Sequence, residues 1–349
     1  MISFYVYMKK IKLLLTALML TLFIAGCSVT NSETEVADDQ GSTATTEVES
    51  EETESSESED SESEESETSD STEASEVAND RFSGDYIITA EEMKEYIGDT
   101  NTIIIDARGS KDPHVESAIS LEWGQLANTS DVQPGEEGWG HIYEPEEINP
   151  ILSELGLDPS KNIILYSNTN EGWGEDVRIL WQLDAYGYEN LKMVDGGINA
   201  IKDAEIELTR DSVSLEPVEV SIEEIDDSAI INTDELVESY DDHVIIDARN
   251  KEEYEGATLY GEAQGGHLPG AINIQYIDLF NEDGYLKSNE EIDQMFIDAG
   301  IEKDDSIVVY CTGGIRSAYM QVIMEMLGYE NAMNYQGSYY NWSASQDVE

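Results

Sequence analysis

Cys311 is one of two cysteines in 349 residues, and its surroundings suit a reactive sulfur. The run Ser306-Ile307-Val308-Val309-Tyr310 is rich in β-branched residues and predicts a strand ending at the cysteine. The hexapeptide Cys311-Thr312-Gly313-Gly314-Ile315-Arg316 follows as a loop, and the amphipathic stretch from Ser317 to Leu327 predicts a helix. A helix start offers unpaired N–H groups and the positive end of a dipole, and both favour a thiolate over a thiol. The backbone N–H groups of Thr312 through Arg316 are therefore candidates to hold an anionic sulfur. Gly313 and Gly314 let that backbone close around it, and Arg316 adds a positive charge beside it. An inert buried cysteine needs none of these features.

The second cysteine stands in a different context. Residues 1–26 carry Lys9, Lys10 and Lys12, then an apolar run from Leu13 to Ile24, then Ala25-Gly26. A basic start, an apolar centre and small residues at the end make a signal peptide, and the run is short for a membrane span. Ile24-Ala25-Gly26-Cys27 resembles a bacterial lipobox. The resemblance implies cleavage before Cys27, lipid on its sulfur, and a protein anchored to the cell membrane on its extracytoplasmic face. Residues 27–80 contain no Lys or Arg ahead of the first basic residue at Arg81, and Asn31 to Val77 holds 19 acidic residues among Ser and Thr. Such a stretch buries too little apolar surface to offset its ordering entropy, so a disordered acidic tether is expected. Residues 81–349 hold 57 acidic against 14 basic residues, which disfavours nucleic acid as a partner.

The remaining chain repeats itself. Ile104-Ile105-Asp106-Ala107-Arg108 returns as Ile245-Ile246-Asp247-Ala248-Arg249, and Gly187-Tyr188-Glu189-Asn190 as Gly328-Tyr329-Glu330-Asn331. Both pairs are offset by 141 residues, and Asp195-Gly196-Gly197 falls on Gln336-Gly337-Ser338 at the same offset. Matches in register indicate a duplication. Each copy opens with a capping-box pattern, Thr89 with Glu92 and Asn232 with Glu235, and alternates apolar strands with helices. That pattern predicts an α/β fold, a central parallel sheet flanked by helices in each copy. The copies span 84–208 and 219–346, with Thr209 to Val220 between them. At the position of Cys311 the first copy has Ser167, followed by Asn168 to Gly174, a stretch three residues longer. No neighbouring base activates that serine, so the first copy is expected to be catalytically silent.

Taken together these features resemble a tandem rhodanese-family sulfurtransferase. The motifs are Gly266-His267-Leu268-Pro269-Gly270-Ala271-Ile272-Asn273, the loop Cys311 to Arg316 of form C-x-x-G-x-R, and Gly337-Ser338-Tyr339-Tyr340-Asn341-Trp342. The resemblance implies two small α/β domains and transfer of sulfane sulfur through a Cys311 persulfide. The donor would be a small molecule such as thiosulfate, and the acceptor cyanide or a thiol. Thr312, Gly313, Gly314, Ile315, Arg316 and Arg249 are the residues expected to bind substrate. No cofactor is implied. His114, His141, His243 and His267 show no metal-binding spacing, so no metal is expected. An arginine common in the family is replaced here by Glu253. Two other readings are a non-enzymatic persulfide carrier or surface binding module, and a cysteine phosphatase or arsenate reductase of the same fold. The last needs one more residue between cysteine and arginine than Cys311 to Arg316 provides.

Overall fold

A computed structural model describes residues 81–109 and 113–349. The expected signal peptide, the lipidation site Cys27 and the acidic tether lie outside the described residues. Within them the chain is built twice on one plan. The first copy contains β1 (Ile87–Ile88), α1 (Ala90–Met93), β2 (Thr102–Asp106), β3 (His114–Val115), β4 (Ile119–Ser120) and α2 (Pro145–Leu155). It continues with β5 (Asn162–Tyr166), α3 (Glu175–Ala185), β6 (Leu191–Val194), α4 (Gly197–Asp203) and β7 (Leu208–Thr209). The second contains β8 (Ile230–Ile231), α5 (Thr233–Ser239), β9 (Val244–Asp247), α6 (Lys251–Tyr254), β10 (Ile272–Asn273) and α7 (Asn289–Asp298). It closes with β11 (Ile307–Tyr310), α8 (Ile315–Met326), β12 (Ala332–Tyr335) and α9 (Ser338–Ser345). The five-stranded sheets run β1-β6-β5-β2-β4 and β8-β12-β11-β9-β10, the same order twice, with every pairing parallel. The α/β class and its duplication are what the repeat implied.

Local chemistry explains the elements. Both capping boxes form: Thr89 and Asn232 each pair with the glutamate three residues on, satisfying N–H groups that open a helix. Gly187 and Gly328 adopt φ of +80° and +88° just past α3 and α8, the left-handed turn that ends a helix.

Strand parity then decides where each side chain goes, because successive residues point to opposite faces. In β5, Ile163 and Leu165 join one core cluster while Ile164 and Tyr166 join another. In β11, Ile307 and Val309 join that first cluster while Val308 and Tyr310 join a third. The first cluster is shared by the two copies. Leu180, Trp181 and Leu183 of α3 belong to it together with Tyr319, Met320 and Ile323 of α8, which packs against α3. Cys311 keeps the parity of Ile307 and Val309, so it faces the first copy.

Candidate active site

Cys311 sits at the turn from β11 into α8 and is 2 % exposed. Gly314 caps α8 at φ +85°, and its N–H donates to Cys311 Sγ at 3.2 Å. A Cβ at Gly314 would stand 2.7 Å from the Gln336 carbonyl, so this turn accepts only glycine. The helix starts at Ile315, two residues earlier than the amphipathic pattern suggested, which places Arg316 in its first turn. Ser317 Oγ lies 3.6 Å from Sγ and 2.7 Å from Asn334 Oδ1. The hydroxyl has one proton for these two acceptors, so it donates to one of them at a time. The loop is pinned from behind: Tyr339 and Tyr340 N–H groups donate to the Cys311 and Thr312 carbonyls at 3.0 Å.

Burial alone would raise the Cys311 thiol, but the Arg316 charge and hydrogen bonds from Ser317 and Gly313 outweigh it. The net result is a thiol more acidic than usual. This is the condition for a nucleophile.

Arg316 is not a free cation. Its Nη1 and Nη2 donate to both Glu253 oxygens at 2.8 Å, and Thr312 Oγ1 bridges the pair at 2.8 Å to each partner. Glu253 is fully buried; burial raises its carboxyl, yet the Arg316 hydrogen bonds and charge bring it below the ordinary range. The expectation that Arg316 holds an anionic donor is therefore corrected in part: it borders the site and its charge reaches Cys311, but its guanidinium hydrogen bonds go to Glu253 and Thr312.

Arg249 is corrected outright. It is fully buried, pairs with Asp247 at 2.7 Å, donates to the Gly266 carbonyl at 2.8 Å and lies 3.8 Å from the Tyr339 ring centroid. Tyr310, on the sheet face away from Cys311, donates to the same Asp247 at 2.6 Å. Arg108 and Asp106 repeat the pair at 2.6 Å in the first copy. Asp-Ala-Arg is a structural device of each domain, outside the cavity at Cys311.

That cavity has a volume of about 220 Å³ and is bordered by Cys311, Thr312, Gly313, Ile315 and Arg316. Its walls are rings: Trp123, Trp139 and Trp173 from the first copy, Tyr260 and Tyr340 from the second. Sequence reasoning assigned none of these to the site. Trp173 and Tyr340 carried a signal, the first in the lengthened stretch after Ser167 and the second in the motif Gly337 to Trp342.

Arg178 of α3 was also missed. It is fully buried, and its Nη1 and Nη2 donate to the Gly314 carbonyl at 3.0 Å and the Gly140 carbonyl at 2.7 Å. Its ring contacts are Trp181 and Trp123, and none of the ion pairs among the described residues includes it. Burial pushes its guanidinium down to about 9, against the pull of Cys311. The clue in the sequence was a lone arginine in the apolar stretch Val177-Arg178-Ile179-Leu180.

Ser167 occupies the matching turn of the first copy but is fully buried. Its Oγ accepts the Thr169 N–H at 3.3 Å and bonds the Asp176 carboxyl, while Tyr276 from the second copy donates to the Thr169 carbonyl at 2.9 Å. The turn is closed over.

Comparisons with known proteins match both copies to one family. The family model described as Rhodanese-like domain matches residues 89–204 and again 232–345. A Haloferax volcanii protein provisionally named a thiosulfate sulfurtransferase is 25% identical over 283 residues, covering 76% of this chain and 96% of the relative. A Mycolicibacterium smegmatis protein of the same provisional name is 28% identical over 234 residues, covering 65% and 81%. Among solved structures, a single-residue variant of EanB in complex with hercynine superposes with a TM-score of 0.67 at 19% identity, over 76% of this chain and 69% of that one. At that identity the likeness speaks for the fold. Two matched domains, one with a cysteine directly after β11 and the other with a buried serine directly after β5, make the chain a tandem-domain member of the rhodanese family of sulfurtransferases.

Proposed function

We propose that the protein carries sulfane sulfur as a persulfide on Cys311. The Cys311 thiolate attacks the outer sulfur of a donor such as thiosulfate; the donor's S–S bond breaks, sulfite leaves with the bonding pair, and a persulfide anion remains. A thiophilic acceptor, cyanide or a thiol, then takes the outer sulfur and returns the thiolate. The observation that carries the reading is the acidified thiol at the cavity floor, with the Gly314 N–H 3.2 Å from its sulfur. The same donors suit the persulfide, which is more acidic than a thiol and stays anionic at neutral pH. Ser167 and its closed turn support a silent first domain that serves as one wall of the site. The N-terminal features support a lipid-anchored protein on the extracytoplasmic face of the membrane.

Incubation with thiosulfate followed by intact-protein mass spectrometry tests the reading. A gain of about 32 Da, one sulfur atom, is expected at Cys311, with thiocyanate released on adding cyanide. Cys311→Ser is expected to abolish both. No sulfur on Cys311 from thiosulfate, mercaptopyruvate or a thiol persulfide, with hydrolysis of an aryl phosphate instead, would overturn it in favour of a phosphatase.

A further inference from the structure

The cavity at Cys311 has an unusual balance of walls. Trp139 stands edge-on to Tyr340 at 4.9 Å and to Trp123 at 6.1 Å, and Trp173 stands edge-on to Tyr260 at 5.5 Å. Tyr340 donates its hydroxyl to the Tyr260 carbonyl at 2.9 Å, which locks the two tyrosines together. Trp139 takes the room that a side chain at Gly313 would need: a Cβ there would lie 3.0 Å from its Cη2. The rings are thus preformed, and two remain exposed at the mouth, Trp173 at 46% and Tyr260 at 38%. Opposite them the one cationic side chain bordering the cavity, Arg316, is matched by Glu253.

From this we infer that the organic partner in sulfur transfer is an uncharged thiol with a flat apolar body, which stacks between Trp173, Tyr260 and Trp139 and accepts sulfur from Cys311. The inference rests on the persulfide reading above. Apolar and aromatic surface gains by stacking on exposed rings. An anionic thiol would instead meet a persulfide anion, and the one arginine bordering the cavity is already paired with Glu253. The step balances. The acceptor sulfur attacks the outer sulfur of the Cys311 persulfide and forms a new S–S bond. The old S–S bond breaks with its electron pair on Cys311 Sγ, and the thiol's proton ends on the outer sulfur of the organic persulfide. The first domain then has a function without any nucleophile: it contributes three of the five rings and so sets acceptor choice.

The experiment separates loading from discharge. The full chain is loaded with thiosulfate and the added sulfur confirmed by mass. Discharge rates are then compared for benzyl mercaptan and for mercaptoethanesulfonate. A preference of about tenfold or more in kcat/KM for the uncharged aromatic thiol is expected, the scale of one well-formed ring contact. Trp173→Ala, at an exposed position that does not threaten folding, is expected to reduce that ratio several-fold, and Trp173→Phe to restore much of it. Glu253→Gln, which frees the Arg316 charge, is expected to shift the ratio toward the anionic thiol. Equal discharge by the two thiols, or a ratio insensitive to Trp173→Ala, overturns the inference while leaving the persulfide reading intact. Failure to load any sulfur overturns both.

Discussion

Replacing Arg178 by Met removes a charge that the first domain places behind the active-site loop. The guanidinium bonds the Gly314 carbonyl at 3.0 Å, and the Gly314 N–H bonds Cys311 Sγ at 3.2 Å, so charge and sulfur sit on either side of one residue. No carboxylate neutralises it among the ion pairs of the described residues, and burial has already lowered it to about 9. A unit charge roughly 7 Å away in a medium of effective dielectric about 20 is worth about 2 kcal/mol, or about 1.5 pKa units. Loss of the cation destabilises the thiolate, so the Cys311 pKa rises by that amount. Alkylation by iodoacetamide, followed against pH, reads the change directly. The inflection is expected to move up by 1–2 units, lowering reactivity at pH values below the wild-type inflection by roughly 30-fold. Stability should change less, because the lost hydrogen bonds are offset by removal of a buried cation lacking an acid partner. Arg178→Lys keeps the charge but reaches only one of the two carbonyls, and should recover more than half of the shift. A folded Arg178→Met protein whose inflection stays at the wild-type pH refutes the argument.

Asp176 gives a stability prediction with a definite sign. Burial raises its carboxyl to about 6, only partly countered by the Ser167 hydroxyl, so the folded state keeps the proton where the unfolded chain has released it. Stability therefore falls as pH rises from about 4 to 6. Asp176→Asn should add up to ~3 kcal/mol at pH 8 and little at pH 4 in denaturant titrations; an equal gain at both would contradict it. Ser167→Ala is expected to leave sulfur transfer within about threefold of wild type, whereas a ~100-fold loss in a folded protein would make the first domain catalytic. Cys27→Ala should release the protein from membranes or leave its precursor uncleaved; unchanged processing and membrane retention would remove the lipobox.

Much of this molecule was legible residue by residue. The strand before Cys311, the glycines that turn it into α8, the two capping boxes and the 141-residue offset depend on neighbours a few positions apart, and such short-range rules are written in the chain. The repeat also located Ser167 opposite Cys311 without any contact being known. What the sequence left open was which charges meet. Residues 81–349 hold 57 acids, and nothing local selects Glu253, 63 residues away, as the partner of Arg316. Arg249 stood in the sequence both as a candidate ligand and as a structural partner of Asp247, and its position against Tyr310 and Tyr339 decides for the structural pair. The deeper omission was the first domain's contribution. Strand parity turns Cys311 toward that domain, and packing of α3 on α8 brings Arg178, 136 residues distant, onto the loop and three indoles onto the cavity. A sequence encodes such meetings only through the tertiary fold, because buried apolar contact between two helices has no preferred partner until the sheets beneath them are in place.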